Sequence, residues 1–264
     1  MRPKIALNKL NKSKILLGSL FILISTLLFS QQSTKINKDK CLVQEIVGSY
    51  YYPWFTPSRW KEDSKVLGHP LLGFYDSSSS EVIRNHINWA KYYGINFFIY
   101  SWLGTDLKAH EDEIRITNKF LKESQDQGMK VSALYETAIS LAQNDSTDRI
   151  DFDKEMPSGQ IAGDKFVSDM IYFAEKQSTS SNHIKNANCP IINLYLVRNF
   201  VNADPYFKKL KRRLKLIDKC LNMNADVVFW HNSKFPIVHS EKSSKEQWEW
   251  IYNNFSSIYG YNLY

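Results

Sequence analysis

Three cysteines in 264 residues are too few for a disulfide-dense miniprotein, and ten glycines and eight prolines rule out a collagen-like repeat. Cys41, Cys189 and Cys220 allow at most one bridge, with one thiol left over. Cys41 lies well past the apolar leader, which argues against a lipid-acceptor role. No His-Glu-x-x-His motif, paired-cysteine spacing or Gly-rich phosphate loop occurs, so neither a metal nor a nucleotide cofactor is expected. A charge excess of one sign is also missing from most of the chain. Five of the seven net positive charges are Arg2, Lys4, Lys9, Lys12 and Lys14, and Lys35, Lys38 and Lys40 against Asp39 supply the other two. The chain from Glu45 onward is therefore neutral, and no nucleic-acid partner is expected. The basic run Lys208–Lys215 reads as the solvated face of a helix. What the chain has in quantity is aromatic side chains: fifteen Tyr, fifteen Phe and seven Trp, more than a core of this size needs. The walls of a ligand groove are one use for the surplus.

The basic segment Met1–Lys14 is followed by Ile15–Phe29, a run without a charge. Basic then apolar is the order of a secretory signal. A spanning helix wants about 20 apolar residues, so this run suits either a cleaved signal or a short type II anchor. If it is retained, residues 15–29 sit in the membrane with the body on the non-cytoplasmic side. The expected division is a signal or anchor over 1–30, a polar tether over 31–44 and a catalytic-type domain over 45–264, exported from the cytoplasm.

Beyond the tether, strand-like and helix-like segments alternate. Strands are expected over Ile46–Tyr52, Ile95–Trp102, Lys130–Tyr135, Pro190–Val197, Asp226–Trp230 and Ser257–Tyr261. Amphipathic helices lie between them, the clearest being Asp112–Gln127, Lys165–Gln177 and Tyr206–Leu221. That alternation implies a parallel sheet. Nearly every strand ends in polar or aromatic residues: Tyr51-Tyr52-Pro53-Trp54, Ser101-Trp102, Tyr135-Glu136, Arg198-Asn199, Trp230-His231-Asn232 and Tyr261-Asn262. A (β/α)₈ TIM-type barrel gathers its strand ends at one mouth, whereas a doubly wound sheet has a single switch point. The expected fold is thus an incomplete (β/α)₈ barrel with about six βα units.

The combination Tyr51-Tyr52-Pro53-Trp54-Phe55, Trp60, Gly68-His69-Pro70-Leu71-Leu72-Gly73-Phe74-Tyr75-Asp76-Ser77, Trp89-Ala90, Tyr93-Gly94-Ile95-Asn96-Phe97 and Ser101-Trp102-Leu103-Gly104 is specific. It resembles glycoside hydrolase family 99, the endo-α-1,2-mannosidases, and the related WbsX-like domains of polysaccharide biosynthesis. The resemblance implies a (β/α)₈ barrel, a retaining glycosidase and an α-mannose-type oligosaccharide in an aromatic groove. It also implies two catalytic glutamates in a late Asn-Glu-Trp-x-Glu motif, which does not occur before Tyr264; Trp248-Glu249-Trp250 lacks the second glutamate.

Tyr51, Tyr52, Trp54 and Trp102 are the expected sugar-stacking residues. His69, Arg198, His231, Tyr261 and Asn262 are candidates for binding hydroxyls, with loop ordering or structural hydrogen bonding as the plain alternative. Glu136 is the candidate acid or base, or else the partner of Arg198 in a structural salt bridge. With no second carboxylate identified, the expectation is a protein that binds α-mannosides and hydrolyses them hardly at all. A non-catalytic carbohydrate-binding protein or a WbsX-like biosynthetic protein are the alternatives.

Overall fold

A computed structural model describes residues 47–62, 68–143, 149–226 and 244–260. The leader, the tether and three predicted site residues, His231, Tyr261 and Asn262, lie outside these residues. No helix among the described residues is long and apolar enough to cross a membrane.

Six parallel strands form one curled sheet: β1 (Gly48–Tyr51), β2 (Phe97–Trp102), β3 (Lys130–Tyr135), β6 (Cys189–Leu194), β8 (Asn222–Asp226) and β9 (Ser257–Tyr259). Each strand pairs with the next in chain order, as in an incomplete (β/α) barrel. The connecting helices are α2 (Ser80–Tyr92), α3 (Leu107–Asp126), α5 (Ala162–Glu175), α6 (Asp204–Leu216) and α7 (Ser244–Asn254), with short α1 (Pro57–Glu62) and α4 (Thr137–Ser140) in the loops. Helix α2 shows how the sequence sets its own limits. Ser79 caps it by accepting from the Val82 N–H, and the chain leaves through Gly94 at φ +80°, a left-handed conformation that glycine adopts without strain. Two pieces were not expected from sequence. β4 (Ile150–Asp151) and β7 (Phe200–Val201) form a separate two-stranded ribbon, and β5 (Lys185–Asn186) makes a hairpin with β6 through left-handed Ala187 and Asn188.

Period-two alternation gives the sheet two different faces. Phe98, Tyr100, Trp102, Val131, Ala133, Tyr135, Ile192, Leu194, Met223 and Ala225 point to the helices and are buried there. The concave face carries a polar row: Asn193 Nδ2 donates to Ser132 Oγ (3.1 Å) and to the Ala133 carbonyl (2.9 Å), and Asn224 Nδ2 donates to Asn193 Oδ1 (3.0 Å). This row explains a strand that sequence alone does not mark. β8 runs over Asn222–Asp226, and Asn-Met-Asn-Ala-Asp reads as a loop because its alternate residues face that polar interior; of the expected strand Asp226–Trp230, all but Asp226 lies outside the described residues. The fourth main strand likewise ends at Leu194, three residues before the expected Val197, because the chain turns at left-handed Leu196.

Cys189 and Cys220 are disulfide-bonded, with Cα atoms 5.2 Å apart and a sequence separation of 31. The bridge ties the start of β6 to the segment entering β8, and Asn222 Nδ2 reinforces it by donating to the Cys189 carbonyl (3.0 Å). Closing a loop of that length restricts the unfolded chain by about 3–4 kcal/mol. We therefore expect reduction to lower the melting temperature by several degrees. Thermal unfolding with and without reductant checks this, and a Cys189→Ser/Cys220→Ser variant should be insensitive to reductant.

Candidate active site

Glu136 follows the last residue of β3 and is buried, 6% exposed. Ser101 Oγ, at the end of β2, donates to its Oε1 (2.9 Å). Two strands away in the sheet, Asp226 closes β8 and is also buried, with an oxygen accepting from the Leu196 N–H (3.3 Å). Burial pushes the Glu136 carboxyl up to about 7; the Ser101 hydrogen bond opposes the shift and the Asp226 charge adds to it. Tyr195 and Tyr259 share the same patch. Both hydroxyls are raised, first by burial and then by the charges of Asp226 and Glu136, while the Arg198 cation pulls Tyr195 back down. Tyr259 Oη donates to the Leu194 carbonyl (3.3 Å). Two buried carboxyl groups, one holding its proton near neutrality, thus lie across the concave strand ends with hydroxyls around them.

The other predicted residues fall in different places. Arg198 sits on the turn Val197–Asn199 beside Tyr195, and the hydrogen bond to Glu136 comes from Ser101. Tyr52 and Trp54 are half-buried at the mouth, ring edge to ring face at 4.9 Å. His69 lies in an exposed loop, its ring 4.8 Å from Phe74. Tyr51 and Trp102 require a correction. Both are on the helix side of the sheet: Tyr51 stacks on Phe120 at 4.4 Å, and Trp102, 3% exposed, is wedged between Tyr135 and Phe173 at 5.3 Å from each. Trp102 therefore offers no ring face to a sugar at the mouth. The expectation placed both at a strand end without fixing which face they point to, and alternation assigns the concave face to Ser101 and Glu136.

Sequence reasoning missed Asp226, Tyr195 and Tyr259 as site residues. Sequence alone puts Asp226 at the start of a strand, the end far from the mouth; among the described residues it is the last of β8. The loop after β2 is anchored on the helix side by a second polar cluster. The Lys165 ammonium is paired with Asp169, which also accepts from Tyr135 Oη (2.6 Å), Thr105 Oγ1 (2.5 Å) and the Thr105 N–H (3.2 Å). Gly104, at φ +78°, lies so close that a Cβ there would stand 2.4 Å from Asp169 Oδ2. Among the described residues no group of three or more His, Cys, Asp or Glu side chains is gathered as a metal site.

Parallel strands in sequence order with helices on one face define the comparison. The fold is similar to that of glycoside-hydrolase-like proteins. One solved structure, a "glycoside hydrolase-like protein", matches with a TM-score of 0.52 at 17% identity, over 68% of this chain and 51% of its own. The GH99 endo-α-mannosidase from Bacteroides thetaiotaomicron matches with a TM-score of 0.50 at 14% identity, over 80% of this chain and 69% of its own. The present chain thus spans about half the length of the first. No protein-family model and no curated protein matches it. At these identities the likeness is one of fold.

Proposed function

We propose that the chain binds α-mannose-type glycans across the concave strand ends and hydrolyses them, with Glu136 as the proton donor and Asp226 as the charged carboxylate. The observation that carries this reading is a buried Glu136 with its carboxyl raised to about 7 and a buried Asp226 whose charge it feels. Asp226 replaces the expectation of a carboxyl without a partner. A glycosidic oxygen leaving as an alkoxide needs a proton, and Glu136 holds one close to neutral pH. The oxocarbenium-like centre that develops needs a negative charge, and Asp226 supplies it. Tyr195, Tyr259 and Ser101 add hydroxyls for orienting a sugar, and Tyr52 and Trp54 add rings at the mouth. The glycan class is supported by fold likeness and by the aromatic motif around Tyr51–Ser77. We further propose that the body works outside the cytoplasm. The basic-then-apolar leader and the Cys189–Cys220 bridge support that placement.

The test is reducing-end release from α-1,2-linked manno-oligosaccharides by the full chain between pH 5 and 8, with binding followed in parallel. Release should be higher below about pH 7 and fall above it, as Glu136 loses its proton. Binding without release at any pH would remove Glu136 as an acid and leave a carbohydrate-binding protein.

A further inference from the structure

Among the described residues strand β1 lies at one edge of the sheet and pairs with β2. Around that edge runs a groove of about 400 Å³ between β1 and α2, within the range of small-ligand sites. Its floor holds His86, Tyr51, Tyr75 and Ser77, and its wall holds Trp89 and Tyr93. The Tyr51 hydroxyl lies 3.2 Å from His86 Nδ1, and the Tyr75 and Trp89 rings flank the imidazole with centroids at 5.2 and 5.8 Å. Burial lowers the His86 pKa, so the ring is neutral at neutral pH. With Nδ1 engaged by the Tyr51 hydroxyl, Nε2 is the ring's second polar atom, able to donate or accept according to the tautomer. Trp89, on α2, is 39% exposed and Tyr93, the C-cap residue one turn further on, 77%.

Ring faces beside a hydrogen-bonding floor discriminate between occupants. A polypeptide face laid over this floor would cover the Tyr75 hydroxyl and the His86 imidazole with apolar atoms, which costs free energy for each group left unpaired. A pyranose packs its C–H face on Trp89 or Tyr93 and offers hydroxyls to the imidazole and the phenol. We propose that this groove is an accessory binding site for neutral hexose chains, separate from the carboxyl pair. The choice of hexose rests on the proposed function; the groove itself uses neither Glu136 nor Asp226.

The experiment measures retention of the full chain on immobilised α-mannan, together with hydrolysis of a soluble mannotriose. Trp89→Ala and Tyr93→Ala should each weaken mannan binding about tenfold, the loss of one good ring contact. Both variants should leave any mannotriose hydrolysis unchanged. Glu136→Gln should do the reverse, keeping mannan retention and losing hydrolysis, so failure of one site is not mistaken for failure of the other. The proposal is overturned if the parent is not retained on mannan, or if both ring variants bind it as the parent does. It is also overturned if sedimentation shows a dimer that Trp89→Ala dissociates, because the groove then belongs to a second copy.

Discussion

Glu136→Gln is expected to reduce glycan hydrolysis by about 10²–10⁴-fold, the usual contribution of a positioned general acid, and at the same time to stabilise the fold at alkaline pH. The second effect follows from the first. The folded Glu136 carboxyl is raised to about 7 from an ordinary 4.5, so the folded chain holds that proton more tightly than the unfolded chain does. Its contribution to stability is full below the unfolded value and is lost as pH rises through 7. By pH 8 the ionised, buried carboxylate costs the fold about 3 kcal/mol. Glutamine cannot ionise, and its amide oxygen still accepts from Ser101. Urea unfolding of parent and variant should therefore agree at pH 4.5 and separate at pH 8, with the variant the more stable. Asp226→Asn should also depress hydrolysis and should lower the pKa of Glu136, since one of the causes of its elevation is gone. If Glu136→Gln keeps the parent's rate, Glu136 is not the acid.

The same two carboxylates show how far the sequence alone reaches. The order and direction of the strands were legible because apolar runs such as Phe97–Trp102 and amphipathic helices such as Asp204–Leu216 have unambiguous periods. Glu136 was legible as a polar residue ending an apolar strand. Asp226 was not, because β8 shows three polar residues in five, and only their pairing with Asn193, Leu196 and the Cys189 carbonyl makes them strand-like. The face taken by Tyr51 and Trp102 was hidden for a different reason. Both faces of a parallel strand are rich in large side chains, so composition does not fix the phase. Contacts with Phe120 and Phe173, distant in sequence, do. The β4–β7 ribbon has two residues on each side, too few to carry a pattern.

Asp169→Leu should be among the most destabilising single changes in the molecule, by about 3–5 kcal/mol. Both members of the Lys165–Asp169 pair are buried, with side-chain exposures of 6% and 0%. Removing one leaves the other as an uncompensated charge in an apolar setting, which is the costly way to break such a pair. The loss would also strand the Tyr135 and Thr105 hydroxyls that donate to Asp169. Replacing both charges, as Lys165→Met/Asp169→Leu, should recover much of the stability, because buried ion pairs contribute little over well-packed apolar residues. Urea unfolding of the two single variants and the double variant checks this. If the double variant is as unstable as Asp169→Leu, the orphaned hydroxyls dominate and the charge does not.

The Cys189–Cys220 bridge also governs what a break in the chain would do. The ring of polypeptide that it closes contains β6, β7 and the whole of α6, with turns at left-handed Leu196 and Asn202. A protease that cuts once inside this ring opens the backbone without releasing a fragment. The two halves travel as one molecule until the sulfurs are reduced, and the sheet order across β6 and β8 keeps its covalent tether. At the extracytoplasmic placement proposed above, such a nick would be a scar and not a severance.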